Sequence, residues 1–207
     1  MTKPEGYFSF RGMKTGLILA SRSPRRQELL AKVGISYTVV EAEVEEIFPE
    51  GMPTERVVVN LAMDKAAWVG KRYPENWILA ADTVVALGDA ILQKPRDAAD
   101  AAAMLARLSG RSHEVFTGYC LKNRAEGKVR WGVERTVVTM KPLTDREIEG
   151  YVKTGEPMDK AGAYAIQGIG ALFIRKIYGS YTNVVGLPLA EVVTLLMEEE
   201  VVSPWET

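Results

Sequence analysis

One apolar run constrains the fold of this chain more than any other feature. Residues 76–87, NWILAADTVVAL, are almost entirely apolar and carry one charged residue, Asp82, near the middle. A run of this composition, followed by the turn sequence LGDA, predicts a buried strand and then a tight hairpin. A buried strand needs other elements to cover it, so the rest of the chain decides the fold class.

Strand and helix patterns alternate along the chain. Strand patterns cover residues 17–20, 36–41, 115–121, 129–140 and 171–177, and helical patterns cover 25–33, 54–70, 97–108, 144–154 and 188–200. Two adjacent strand pairs have the short polar connections that are typical of antiparallel hairpins. These patterns predict an α/β fold with a mixed sheet. Residues 15–207 are predicted to form one domain, and residues 1–14, which lack periodicity, an N-terminal extension.

The composition excludes several classes of function. The 207 residues carry a net charge of −1, without the basic excess of a general nucleic-acid binder. No apolar run approaches the length of a membrane span, and the first apolar stretch, residues 17–20, is too short for a signal peptide. We therefore expect a cytoplasmic protein without nucleic-acid or membrane partners. The one cysteine, Cys120, excludes an internal disulfide and a cysteine-based zinc site.

The one histidine, His113, lies between a predicted helix end and a predicted strand start. A lone loop histidine is more often structural than catalytic. Chemistry in this chain must therefore rest mostly on carboxylates, lysines, arginines and hydroxyls. Carboxylates that act together with phosphates favour a hard divalent metal ion such as Mg²⁺ or Mn²⁺.

The segment LASRSPRRQELL predicts an anion site at the start of a helix. Ser23 is a natural N-cap, and the proline after it suits the first helical position. Arg25 and Arg26 then lie in the first turn, where cations oppose the helix dipole. A bound phosphate removes that conflict, and the hydroxyls of Ser21 and Ser23 add hydrogen-bonding groups.

Other polar residues are open to two interpretations each. Asp82 is either a ligand-site carboxylate on its strand or a cap for a turn. The acidic segment EAEVEE either binds a metal or forms a solvated face. Lys65 lies on the apolar side of its helix and needs a buried partner, whereas Lys94 either reaches a phosphate or lies exposed. Gln167 lies in a glycine-rich stretch that either reads the edge of a base or simply makes turns.

Taken together, these segments resemble the Maf family of nucleoside triphosphate pyrophosphatases. The resemblance runs from about residue 17 to residue 198 and is carried by LASRSPRRQELL, EAEVEE, AMDKAAWVG, AADTVVAL, LQKPRDAADAAAMLARLSGRSHEVFTG and GEPMDKAGAYAIQGIGALFIRKIYGSYTNVVGLPLAEV. It implies two lobes around a long mixed β-sheet with a deep central cleft. It also implies hydrolysis of a nucleoside triphosphate to the monophosphate and pyrophosphate with a divalent metal, and it raises a homodimer as a candidate assembly.

The resemblance also implies roles for individual residues. It makes Asp82 the general base. The remaining roles are substrate choice for Arg25, Thr83 and Gln167, phosphate binding for Ser21, Ser23, Arg25, Arg26, Lys65 and Lys94, and metal binding for Glu43, Glu46 and Asp82.

Two branches of the family differ in substrate, and this chain resembles the one that acts on dTTP and UTP. The 7-methyl-GTP branch has an aromatic residue in place of Arg25, Asp-Cys-Ala-Gly in place of DKAG, and Glu in place of Gln167. The amide of Gln167 suits uracil and thymine, because each base presents an N–H between two carbonyl oxygens.

Two alternatives remain at this point. One is a nucleotide-binding regulatory protein without turnover, since the family has been linked by name to septum formation. Retention of Asp82, Lys65 and the acidic segment argues against a pure binder. The other is an enzyme of the same fold that acts on purine nucleotides such as 7-methyl-GTP or inosine triphosphate, which Gln167 disfavours.

Overall fold

The computed structural model describes residues 11–12 and 16–203. The strands are β1 Arg11–Gly12, β2 Leu17–Leu19, β3 Thr38–Val39, β4 Trp77–Leu87, β5 Ala90–Leu92, β6 Ser112–Asn123, β7 Lys128–Met140, β8 Ile174–Tyr178 and β9 Val202–Ser203. The α-helices are α1 Pro24–Lys32, α2 Thr54–Arg72, α3 Ala98–Leu108, α4 Asp145–Lys153, α5 Tyr181–Val185 and α6 Leu189–Glu198. Short 3₁₀ helices cover Glu156–Asp159, Ala161–Ala163 and Ile169–Phe173.

The main sheet is mixed, as predicted. Its strand order is β3-β2-β4-β6-β7-β8, and β5 pairs with β4 outside that path. Strand β2 runs parallel to β3 and β4, whereas β4, β5, β6, β7 and β8 pair in antiparallel fashion. The two predicted hairpins, β4–β5 and β6–β7, supply much of the antiparallel part. The expected α/β fold with a mixed sheet is therefore confirmed.

One edge of β4 is interrupted. Strand β6 pairs with one edge of β4 continuously from Trp77 to Ala86. On the other edge, β2 pairs only as far as Leu79, and β5 pairs only from Val85 onward. Within the described part of the chain, no strand covers the edge between these two points. Asp82 lies in the middle of this open edge.

The segment of β4 that contains Asp82 and Thr83 also divides the apolar core, and it does so on both faces of the strand. On one face, Ile78 and Ala80 pack with α2 in one cluster, while Val84 and Ala86 belong to another. Asp82 lies between these two clusters. On the opposite face, the cluster around α1 and α6 includes Leu79 and Ala81, and the cluster around α3 and α4 begins at Val85, with Thr83 between them. The two predicted lobes therefore meet at Asp82 and Thr83.

Helix α2 lies unusually close to the sheet beside this division. Gly118 of β6 is the register partner of Asp82. A Cβ at Gly118 would lie 2.5 Å from the amide nitrogen of Val59, so only glycine permits this approach of helix to strand. Lys65 follows Val58 by two helical turns and projects from the same side of α2. The contact at Gly118 thus sets how deeply α2, and with it Lys65, sits against β4.

Several predicted boundaries differ from the structure. The predicted strand 171–177 is wrong in its first part, because residues Ile169–Phe173 form a 3₁₀ helix and β8 starts at Ile174. The predicted strand 36–41 is reduced to Thr38–Val39, and α5 was not predicted. The capping box at Thr144 and Glu147 is confirmed at the start of α4.

The predicted N-terminal extension, residues 1–14, lies mostly outside the described residues. Its residues Arg11 and Gly12 form β1, which pairs with β9 at Ser203 and Val202. Over the described ranges, the helices are all too short or too polar to cross a membrane.

Candidate active site

A cleft of about 580 Å³ opens at the unpaired edge of β4, between the two lobes. Every residue that the sequence singled out for the site lines this cleft: Ser21, Ser23, Arg25, Arg26, Glu43, Glu46, Lys65, Asp82, Thr83, Lys94 and Gln167. These residues come from segments spread over most of the chain. The fold therefore brings together the predicted groups, although their roles stay predictions.

Asp82 lies at the bottom of a charged group of three side chains. It is 6% exposed, and its carboxylate accepts a hydrogen bond from the ammonium of Lys65. The same ammonium donates to Glu46 Oε1 at 2.7 Å. Lys65, which was expected to need a buried partner, thus joins a buried carboxylate to a more exposed one.

The two carboxylates differ in proton affinity because their surroundings differ. Burial raises the pKa of Asp82 above its usual value, although the positive charges of Lys65 and Arg26 act against this. Burial also acts to raise the pKa of Glu46, but there the hydrogen bond and charge of Lys65 outweigh it and the pKa is lowered. A carboxylate with a raised pKa is the stronger proton acceptor, so Asp82 suits general-base chemistry better than Glu46 does.

The acidic groups suit a metal ion only in partnership with substrate. Within residues 11–12 and 16–203, no three acidic, histidine or cysteine side chains converge as a metal cage would require. Glu46 and Asp82 meet at Lys65, whereas Glu43 lines the cleft as an exposed side chain. Mg²⁺ is commonly held by one or two carboxylates together with substrate phosphates. The donor set fits that arrangement.

The start of α1 has the features of an anion site. Ser23 is the N-cap and Pro24 occupies the first turn, as predicted. The Ser23 side chain makes no capping hydrogen bond, while its backbone N–H donates to Ser21 Oγ at 3.3 Å. The backbone N–H groups of the first turn are therefore not capped by the Ser23 hydroxyl, which leaves that hydroxyl available to a ligand.

Arg26 has a structural role in the cleft in addition to contributing positive charge. Its guanidinium donates to the carbonyl of Gly186 at 2.7 Å, to Ser21 Oγ at 3.0 Å and to Thr83 Oγ1 at 3.0 Å. Burial lowers the pKa of Arg26, and Asp82 opposes that effect. Arginine keeps its charge even so. Arg26 therefore joins α1 to β4 and to the segment after α5, a structural role that sequence reasoning missed.

Thr83 also belongs to a buried hydrogen-bond network. Its hydroxyl lies 2.9 Å from Thr117 Oγ1, and Thr117 in turn donates to the carbonyl of Asn183 at 3.2 Å. The Asn183 side chain donates to the carbonyl of Val115 at 3.0 Å. These bonds fasten α5 to β6 behind the cleft. No local sequence signal identifies Thr117 or Asn183, because their partners lie far away along the chain.

Arg25 faces the opposite lobe. Its guanidinium lies 3.7 Å from Asp159 Oδ2, and the carboxylate side chain is 66% exposed. Such an ion pair is weak, so phosphate oxygens can replace it. Asp159 and Lys160 were missed as individual residues, although both lie in the DKAG segment that distinguished the two branches. Both line the cleft.

His113 has the structural role that was expected, although it lies within β6 rather than in a loop. It is 2% exposed, and its Nε2 lies 2.8 Å from the hydroxyl of Tyr164, a residue that lines the cleft. Burial lowers the pKa of His113 to about 4, so the ring is neutral at neutral pH. His113 thus supports the far wall of the cleft.

The chain belongs to the Maf-like protein family, whose model matches residues 16–199. The dTTP/UTP pyrophosphatase of Myxococcus xanthus (strain DK1622) is 50% identical over 192 residues, which cover 93% of this chain and 96% of that protein. The dTTP/UTP pyrophosphatase of Syntrophotalea carbinolica is 53% identical over 186 residues, with 88% and 84% covered. A HAM1 protein structure from Coxiella burnetii covers 89% of this chain and 99% of its own, but 16% identity and a TM-score of 0.46 are too low to support an argument.

Proposed function

We propose that this protein hydrolyses dTTP and UTP to the nucleoside monophosphate and pyrophosphate. The observation that carries the proposal is the position of Asp82. It is a buried carboxylate of raised pKa on the open edge of β4, and it lines the same cleft as the anion site at the start of α1. The names of the relatives at about 50% identity support the same activity. Modified pyrimidine nucleotides are included in the proposed substrate range.

The phosphates bind at the charged side of the cleft. The N-terminus of α1, with Ser21 and Ser23, receives phosphate oxygens, and Arg25 exchanges Asp159 for them. Arg26 contributes its charge from a fixed position. Lys94, an exposed side chain at the cleft, neutralises the outer phosphates.

Asp82 then acts on water. Its carboxylate orients a water molecule and accepts a proton from it as the oxygen attacks the α-phosphorus. Lys65 stays beside Asp82 and offsets negative charge in the transition state, and Arg25 and Arg26 stabilise the leaving pyrophosphate. Asp82 and Glu46, with Glu43 as a further candidate, would hold a divalent metal together with the substrate phosphates, and the metal would supply additional charge neutralisation.

Base selection falls to the other side of the cleft. Gln167 offers a donor and an acceptor to the edge of uracil or thymine. Arg25 and Thr83 are the further residues proposed for substrate choice, and they act from the phosphate side, where the Thr83 hydroxyl accepts a hydrogen bond from the Arg26 guanidinium. A single catalytic domain over residues 15–207, a cytoplasmic location and a homodimer complete the proposal.

A nucleotide panel tests the proposed function. The purified protein is incubated with dTTP, UTP, 5-methyl-UTP, pseudo-UTP and 7-methyl-GTP, and pyrophosphate and orthophosphate are measured separately. We expect pyrophosphate as the primary product and the pyrimidine nucleotides as better substrates than 7-methyl-GTP. Orthophosphate with a diphosphate as primary products contradicts the mechanism, and binding without product release favours a regulatory protein.

A further inference from the structure

The loop that carries Gln167 is held on its N-terminal side by a buried tyrosine. Tyr151 lies in α4 and is 2% exposed. Its hydroxyl accepts a hydrogen bond from the backbone N–H of Ala165 at 3.1 Å. The same hydroxyl donates to Oε1 of Glu156 at 2.7 Å. One hydroxyl thus connects the start of the loop to a carboxylate on the 3₁₀ helix after α4.

Glu156 holds the other side of the same loop. Its Oε2 accepts from the backbone N–H of Ile169 at 3.0 Å, and its Oε1 accepts from that of Gly170 at 3.0 Å. Burial acts to raise the pKa of Glu156, but these two N–H groups and the Tyr151 hydroxyl outweigh it and lower the pKa. The group is therefore an ionised acceptor at neutral pH.

Gly168 makes this arrangement sterically possible. A Cβ at that position would lie 2.6 Å from Cδ of Glu156. Only glycine lets the carboxylate come this close to the loop backbone. The residues between the two anchored ends are Ile166, Gln167 and Gly168, and Gln167 lines the cleft.

We infer that Glu156 and Tyr151 are positioning residues for base selection, because together they fix both ends of the loop that presents the Gln167 amide. The inference rests on the proposed function, since it takes Gln167 as the group that reads the base. Neither residue lines the cleft, so both act through the loop backbone. An amide can distinguish donors from acceptors on a base only if its own orientation is fixed.

The variant Glu156→Gln tests the inference with a minimal change of shape. One carboxylate oxygen becomes an NH₂ group, which faces a backbone N–H or the Tyr151 hydroxyl instead of accepting from it. The assay compares UTP with CTP, which differ in the hydrogen-bonding edge of the base. We expect the ratio of kcat/KM for UTP over CTP to fall about 5-fold or more, mainly through the KM for UTP. Tyr151→Phe should shift the ratio in the same direction, and Glu156→Asp should recover part of it.

Glu147→Gln is the matched control. Glu147 also accepts a hydrogen bond from a backbone N–H, that of Thr144 at 2.8 Å, and it belongs to the same helix as Tyr151. It does not line the cleft. General loss of stability in this variant should lower the activities on UTP and CTP in proportion, leaving their ratio unchanged.

Hydrogen exchange supplies a readout that does not depend on turnover. The amides of Ile169 and Gly170 should exchange faster in Glu156→Gln than in wild type, with no such change in Glu147→Gln. Unchanged exchange at these amides, or an unchanged UTP-to-CTP ratio in an active Glu156→Gln enzyme, overturns the inference. Failure of the proposed function is distinct, because the wild type would then release no pyrophosphate from UTP while the exchange experiment still reports on the loop.

Discussion

The two sides of the cleft are built in different ways. The phosphate wall, which comprises Asp82, Lys65, Glu46 and Arg26, lies mainly on strand β4 and helices α1 and α2 and is held by ion pairs and charged hydrogen bonds. The base wall, residues 159–170, consists of turns and 3₁₀ helices. Under the proposed function, helices and a strand hold the side that every triphosphate shares, while irregular backbone forms the side that must differ between bases.

This contrast explains where a change of substrate can arise. Residues on the phosphate wall are tied to the sheet, so altering one of them disturbs several partners at once. Backbone in the base wall depends on a few side chains, chiefly Tyr151 and Glu156. Substitutions there should alter selectivity while leaving the phosphate chemistry in place.

Asp82→Asn is the most severe test of the phosphate wall. The amide keeps the size of the carboxylate but cannot accept a proton from water. We expect turnover to fall about 10²–10⁴-fold, as is usual for loss of a general base, while nucleotide still binds. Steady-state pyrophosphate release and calorimetric binding check this. Wild-type turnover in Asp82→Asn would remove Asp82 from the mechanism, and loss of nucleotide binding would leave metal binding, without general-base action, as its role.

Lys65→Met tests how strongly the Lys65 ammonium lowers the pKa of Asp82. Without Lys65, burial raises the pKa of Asp82 further, because an opposing charge is gone. A general base must be deprotonated, so the acid limb of the pH–rate profile should move to higher pH. A neighbouring opposite charge commonly shifts a carboxyl pKa by about 1–3 units, which corresponds to about 10–10³-fold lower activity on that limb. An acid limb at the wild-type position contradicts this account.

Gln167→Glu and Arg25→Trp test two residues proposed for substrate choice, one on the base wall and one on α1. Gln167→Glu removes the amide donor and brings a carboxylate close to carbonyl oxygens of the base. We expect activity on dTTP and UTP to fall about 5- to 150-fold, the range for one lost buried hydrogen bond. Arg25→Trp replaces a charge with a stacking surface and should also weaken the pyrimidine substrates. Kinetics with UTP, dTTP and 7-methyl-GTP decide the point: both variants should move the ratio of activities toward 7-methyl-GTP.

His113 makes the stability of the base wall dependent on pH. The pKa of His113 is about 4 in the folded protein, against about 6.5 for an ordinary histidine, so the unfolded chain binds the proton more tightly. The contribution of His113 to the free energy of unfolding is therefore fully present above pH 6.5 and is lost as the pH falls from 6.5 toward 4. We expect a loss of about 2 kcal/mol between pH 7 and pH 5. Denaturant unfolding at several pH values should show a flatter dependence for His113→Gln.

Asp159→Asn should have the smallest effect. Its ion pair with Arg25 spans 3.7 Å, and its other partner, Lys160, keeps a hydrogen bond to the carbonyl of Glu156 at 2.7 Å, so the substitution should change stability by about 0–1 kcal/mol. Freed from this pair, Arg25 should bind phosphate slightly more readily, which lowers the KM for UTP about two-fold or less. A large rise in KM would instead show that Asp159 itself contacts the nucleotide.

Local patterns were sufficient to predict the start of α1 and the strand that carries Asp82. Ser23, the following proline and the two arginines act within one helical turn, and β4 is identified by its apolar run. The need of Lys65 for a buried partner was also visible from its place on α2, although the identity of that partner was not. It depends on how α2 packs against β4, which no local pattern records.

Other features depend on contacts between distant segments. Helix α5 has the sequence YTNVV, whose β-branched residues favour strands. It forms a helix because Ser180 caps it and the side-chain NH₂ group of Asn183 donates to the Val115 carbonyl on β6 and to Thr136 Oγ1 on β7. The unpaired edge of β4 and the hydrogen bonds of Glu156 to the loop that carries Gln167 likewise leave no pattern in the sequence, because each depends on the position of a remote segment. The sequence was therefore sufficient to predict which residues line the cleft, but not which hydrogen bonds and ion pairs join them.

The contact of Gly118 with α2 makes one position outside the cleft as restrictive as a position within it. No atom of Gly118 lines the cleft, yet even an alanine there meets the backbone of Val58 and Val59. Helix α2 must then move away from β6, and Lys65, two turns along, moves away from Asp82 with it. A mutational scan scored by activity should therefore tolerate no residue but glycine at position 118, as though it were part of the chemistry.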